Sequence, residues 1–197
     1  RQNEINDGLS QQVRITITPL KNWNIIGELN IKTDNNWTHY EHKRVYSHMA
    51  NDPEKTYVAT MTGPSEDKVY EYAYKSLFLN PNVYTNYDIT LGQHTIAATA
   101  GMQIERQKYR DVSAQRADMI STDLPVLNLT TSSQSYGISG VVQEWASAGF
   151  FGRINYDYAG RYLVEGNLRY DGSSRFRRGN RWILTPSFSL GWNIARE

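Results

Sequence analysis

The sequence predicts an all-β fold of antiparallel strands, and three observations carry that expectation. Apolar and polar residues alternate with a period of two in separate stretches along the whole chain. Short links containing Gly or Asn fall between long polar ones. No run of about 18 apolar residues occurs, which excludes a membrane-crossing helix but leaves membrane-crossing strands open.

The elements follow in order. Residues 13–19, VRITITP, set Val13, Ile15 and Ile17 against Arg14, Thr16 and Thr18. After a link at 19–22, NWNIIGELNIKT aligns Trp23, Ile25, Leu29 and Ile31. Residues 83–91, VYTNYDITL, align Val83, Tyr87, Ile89 and Leu91 against Tyr84, Asn86, Asp88 and Thr90. A Gly92–Gln93 turn leads into HTIAATAGMQIE, where Ile96, Ala98, Ala100, Met102 and Ile104 share a side. Residues 148–158 put Phe150, Ile154, Tyr156 and Tyr158 opposite Phe151, Arg153, Asn155 and Asp157. The two-residue link Ala159–Gly160 predicts a tight hairpin, with Gly accepting positive φ. Residues 161–171 then set Tyr162, Val164, Leu168 and Tyr170 against Arg161, Glu165, Asn167, Arg169 and Asp171.

The last strand, RWILTPSFSLGW at 181–192, is the clearest. Even positions read Trp182, Leu184, Pro186, Phe188, Leu190 and Trp192, while odd ones read Arg181, Ile183, Thr185, Ser187, Ser189 and Gly191. Ten steps at about 3.3 Å, tilted by about 40°, project to about 25 Å, the height of the apolar band on an outer-membrane barrel. Trp182 and Trp192 are placed to sit as a lipid-facing girdle at the two interfaces. Alternation alone fits a half-buried strand of a soluble sandwich equally well. Loop lengths separate the two. Short links at 19–22, 92–93 and 159–160 interleave with long ones at about 34–76, 106–146 and 172–180. Short periplasmic turns opposite long extracellular loops are the layout of a transmembrane barrel. About seven strands cannot close one, and lipid does not tolerate open edges, so the wall is expected to belong to a larger barrel.

Composition agrees. Formal net charge is +1, which offers no footprint for nucleic acid, and the chain has no Cys. Mean hydropathy is −0.63, as expected where half of each strand meets water. No signal peptide opens the chain, and RQNEINDGL begins without Met, so the sequence has the look of a piece of something longer.

The stretch GRINYDYAGRYLVEGNLRYDGSSRFRRGNRWILTPSFSLGW, residues 152–192, resembles the barrel of SusC-like (RagA-like) TonB-dependent outer-membrane transporters of Bacteroidetes. GQHTIAATAGMQIERQKYRD and DLPVLNL at 123–129 resemble it more loosely, so the likeness covers about residues 76–194. The resemblance implies that residues 1–197 are a partial barrel domain, about a third of a barrel of about 22 strands. It further implies an N-terminal plug lying outside this chain, energy from the TonB complex through that plug, and a SusD-like lipoprotein lid. The expected solutes are glycans or peptides, imported across the outer membrane without a cofactor. Two other classes stay open: a small standalone barrel with a structural or adhesive role, and a soluble sandwich that binds carbohydrate.

Several residues are candidates for function. Arg153, Asn155, Asp157, Glu165, Asn167 and Arg169 would face the lumen, holding the plug or lining a solute path. A cross-strand charge ladder that stabilises the wall explains them as well. Arg175, Arg177, Arg178 and Arg181 crowd one extracellular loop, where guanidinium groups can pair with phosphates, or simply stay solvated. Tyr70, Tyr72 and Tyr74, with Tyr40, Tyr46 and Tyr57, belong to the long 34–76 link, where rings can stack on sugars or pack the loop. His39, Glu41, His42 and His48 are potential metal ligands, but on a strand only His39 and Glu41 share a side, which is too few. No nucleophile–base pair or phosphate loop stands out, so an enzyme is not expected.

Overall fold

The computed structural model describes residues 1–44, 46–49, 52–58, 66–132 and 137–196, with side chains outside 45–65. The strands are β1 (Gln2–Leu20), β2 (Trp23–His42), β3 (Tyr46–Met49), β4 (Asp52–Val58), β5 (Lys68–Leu91), β6 (His94–Ala117), β7 (Ile138–Tyr158), β8 (Tyr162–Ser173) and β9 (Trp182–Trp192). Seven form one sheet in the order β1-β2-β5-β6-β7-β8-β9, and β3 pairs with β4 alone. Neighbours in sequence are thus neighbours in space, as an up-and-down wall requires.

The described chain forms two compact units. One comprises Arg1–Gly8, Asp34–Ser76 and Tyr109–Gln143; the other comprises Leu9–Thr33, Leu77–Lys108 and Glu144–Glu197. The second contains every stretch in which alternation is strong. Its register is continuous. β7 pairs with β8 from Ser147↔Ser173 to Tyr158↔Tyr162, and β8 pairs with β9 from Tyr162↔Trp192 to Gly172↔Trp182. Even residues therefore meet even residues in every row, such as Tyr156, Val164 and Leu190, and odd meet odd, such as Arg153, Asn167 and Ser187.

Among the described residues nothing covers the even side: Leu184 is 56% exposed, Phe188 67% and Leu190 71%. At its upper row Trp182 stacks on Tyr170 at 4.8 Å and faces Phe150 at 6.2 Å between ring centroids. The indole lies over Gly172, where a Cβ would stand 2.6 Å from the ring. Gly is required here so that the large ring can lie flat.

The link between β7 and β8 is one residue longer than expected: it runs Ala159–Arg161, and Tyr158 pairs with Tyr162. Gly160 has φ +67° and Gly92 has φ +61°, but Ala159 (φ +54°) and Asn22 (φ +66°) also adopt left-handed backbone. Arg161 N donates to Tyr158 O, closing a type I′ turn centred on Ala159 and Gly160.

The long links are shorter than expected. β2 runs on to His42, β5 begins at Lys68, β6 continues to Ala117 and β7 starts at Ile138. Much of 34–76 and 106–146 is therefore strand, and Tyr70, Tyr72 and Tyr74 lie on β5 and not in a loop. The cause is physical. Hydrophobic alternation reports an apolar environment on one side, whereas backbone pairing continues wherever a neighbouring strand is present.

Two outcomes follow. If the apolar side faces lipid, Phe188→Arg at its middle will destabilise the protein by about 2–4 kcal/mol, while Ser187→Arg one residue away will cost far less; denaturant unfolding in lipid vesicles measures both. Ala159→Asn will stabilise it by roughly 0.5–1 kcal/mol, because Asn tolerates the left-handed conformation that strains Ala.

Candidate functional site

The odd side of β7 and β8 carries a hydrogen-bonded polar surface. Arg153 Nε donates to Asn167 Oδ1 at 2.7 Å, and Asn167 Nδ2 donates to Glu165 Oε1 at 2.6 Å. Arg169 grips Asp171 with two bonds, at 3.1 and 2.9 Å, and its guanidinium lies 5.9 Å from the Phe151 ring centre. The register thus brings Arg153, Asn155, Glu165, Asn167 and Arg169 together on one side. Asp157 shares that side, but its Oδ1 accepts from Gly160 N at 2.6 Å, so its carboxylate fastens the turn.

Further strands extend the same surface. Arg14 Nε lies 3.0 Å from Glu28 Oε1, and Arg14 Nη2 donates to Tyr84 Oη at 2.8 Å. Asn30 donates to Asn80, Asn82 donates to Asn80, and Thr99 donates to Asn86. A Cβ on Gly101 would meet Tyr84 Cβ at 2.5 Å and the Phe151 ring at 2.7 Å, so Gly101 lets both aromatics lie close to the wall. Glu28, Asn80 and Asn82 are the residues that sequence reasoning missed; polar residues two apart on one strand were the available signal. Each exposed pair contributes about 0.2–1 kcal/mol. Their joint effect is a side that stays wet.

Above the rings the two sides diverge. On the odd side, Ser147 donates to Glu105 at 3.3 Å and Trp145 Nε1 donates to Gln107 at 3.0 Å. A recess of about 500 Å³ opens there, lined by Glu105, Arg169, Asp171, Phe176 and Arg181. On the even side, Arg106 Nε donates to Glu144 Oε1 at 2.7 Å and Lys108 Nζ stands 3.6 Å from Glu144 Oε2.

The loop arginines are divided. The Arg175 guanidinium lies 4.7 Å from the Trp145 ring centre, and Ser174 N donates to Ala146 O, which fastens the loop to β7. Arg181 Nε donates to Phe176 O. Arg177 and Arg178 are exposed, and no partner for either is present among the described residues.

In the first unit, Tyr72 and Tyr109 share a hydrogen bond of 2.9 Å, and Tyr74 packs on Tyr109 at 5.6 Å; Tyr70 is half-buried. His39 Nδ1 bonds Glu71 Oε1 at 2.6 Å, Glu41 lies 4.0 Å from Lys43, and Tyr40 contacts His42. The would-be ligands thus have separate partners, and no group of three metal-binding side chains occurs among the described residues. The side chains of Tyr46, His48 and Tyr57 lie outside the described residues. The DLPVLNL segment is held by Arg116, which donates to Leu127 O at 3.3 Å and Ser132 O at 2.6 Å.

Comparison with known proteins decides the family. The description "TonB dependent receptor-like, beta-barrel" matches residues 2–197. The chain belongs to that family. As a barrel of this family it is an outer-membrane protein. It is 26% identical over 142 residues to TonB-dependent receptor P3 of Formosa agariphila, covering 72% of this chain and 14% of P3. Over 48 residues it is 52% identical to TonB-dependent receptor SusC of Bacteroides thetaiotaomicron, covering 24% of this chain and 5% of SusC. The solved RagAB peptide transporter superposes with a TM-score of 0.80 at 20% identity, over 98% of this chain and 20% of that one. The chain spans at most 14% of the length of the curated relatives it matches and 20% of the solved transporter.

Tyr109 yields a titration test. The Tyr72 hydrogen bond, burial and the nearby Asp111 all push its phenol above the ordinary range. In a pH titration of ring-labelled tyrosine by NMR, Tyr109 will lose its proton at higher pH than an exposed phenol. Tyr72→Phe will bring it back down.

Proposed function

We infer that this chain is wall from an importer that carries glycans or peptides across the outer membrane. In this reading the odd side lines the lumen, with Arg153, Asn155, Glu165, Asn167 and Arg169 against the plug or the solute path. Trp182 and Trp192 mark the two interfaces on the lipid side. A plug elsewhere in the full protein couples to the TonB complex, and a SusD-like lipoprotein covers the extracellular mouth. The wall positions and excludes; it makes and breaks no bonds.

The observation that carries this reading is the separation of sides by register. One side of β7, β8 and β9 is apolar and uncovered, and the other is polar and hydrogen-bonded. Water cannot satisfy backbone groups in hydrocarbon, so a wall with one wet side must have its ladder complete. Peptides as solutes are supported by the likeness to the RagAB peptide transporter, and glycans by the resemblance of the 152–192 stretch to SusC-like barrels. The Trp145–Arg175 pair and the recess beside Arg169 stand where the lumen would open to the outside.

Cysteine scanning tests the reading, because the chain has no Cys of its own. In membranes bearing the full-length receptor, Ser187→Cys and Ser189→Cys will react with a small charged thiol reagent. Phe188→Cys and Leu190→Cys will not. Equal labelling of the two pairs would end the assignment of lumen and lipid.

A further inference from the structure

The apolar side of the second unit ends abruptly. On β6, Ile96, Ala98, Ala100, Met102 and Ile104 are followed at the same two-residue spacing by Arg106 and Lys108. On β7, Phe150 and Ala148 give way to Glu144 in the opposite direction along the strand. The ion contacts of Glu144 with Arg106 and Lys108 show that these three residues share one side. The contacts of Glu105 with Ser147 and of Gln107 with Trp145 occupy the other. The charged trio therefore lies on the side that carries Phe150, Tyr170 and Trp182.

Its height is informative. Trp182 pairs through Gly172 with Ala148, and Glu144 is four residues further along β7. Four steps at about 3.3 Å, tilted by about 40°, project to about 10 Å beyond the ring row. The headgroup layer adds roughly 5–8 Å to each side of the hydrocarbon, so Glu144 stands at its outer edge, and the long Arg106 and Lys108 side chains can reach back to lipid phosphates. Two cations share one carboxylate there, leaving an excess positive charge, and all three side chains are about half exposed, at 45–51%.

We propose that Arg106 and Lys108 bind a phosphate group of an outer-leaflet lipid. The guanidinium offers a planar donor pair and the ammonium a point charge, the two modes by which phosphate oxygens are held. Glu144 keeps both side chains extended toward one another and competes for them, so a phosphate replaces it as partner when lipid is present. The inference rests on the even side being the lipid side; cysteine scanning tests that separately, so the two can fail independently.

The test uses the full-length receptor purified in detergent and titrated with fluorescent lipid A, with dephosphorylated lipid A and inorganic phosphate as competitors. Arg106→Gln with Lys108→Gln will weaken lipid A binding roughly thirtyfold, the product of about fivefold for each cation near an anionic surface. Glu144→Gln will tighten it, because the competing carboxylate is gone. Arg106→Lys will retain most of the affinity, which separates loss of charge from misfolding. High salt will weaken binding to the wild type. Unchanged binding in the double variant would overturn the proposal, as would weaker binding in Glu144→Gln. Inorganic phosphate competing as strongly as lipid A would overturn the lipid as its source.

Discussion

The structure depends on the ladder of backbone hydrogen bonds between neighbouring strands. In hydrocarbon an unpaired amide or carbonyl costs several kcal/mol, so a strand there has little freedom to slip or fray. Once β7, β8 and β9 are locked in register, the parity of every side chain is fixed. A shift of one residue would exchange Thr185, Ser187 and Ser189 with Phe188 and Leu190 between the two sides of the sheet. Pairing and partition enforce each other.

That mutual constraint explains the use of small residues. Gly172 and Gly101 each stand where a neighbouring aromatic side chain occupies the space of a Cβ. In one case the ring lies on the apolar side, and in the other it lies among polar groups. Pro186 sits within β9 opposite Leu168, a position that strands tolerate where the missing donor is not required by a partner. These residues adjust thickness on each side without altering the register.

The strands that meet apolar surroundings were legible in the sequence. Their side, parity and turns followed from period-two alternation, and the 182–192 pattern named both its ends. The extensions were not legible. Residues 34–42, 68–76, 109–117 and 138–143 belong to a separate unit, in which apolar and polar residues alternate weakly while pairing persists. The shared polar side was legible as residue types and not as partners. Arg153 with Asn167 could be read from parity, but the Arg14–Glu28–Tyr84 group joins three strands far apart in sequence. Asp157 shows the opposite failure, since its local turn bond took precedence over the ladder assigned to it.

The change from apolar to charged side chains after Ile104 has a mechanical consequence. Sinking this wall by two residues would carry Arg106 into the acyl region, at a cost of about 2–4 kcal/mol per buried cation near the midplane and less near the edge. With the even side toward lipid, as proposed, raising it would strip Trp192 and Tyr162 from the opposite interface. The ionic rim and the lower aromatic row would then act as opposed stops, so that a load along the membrane normal is borne by the bilayer.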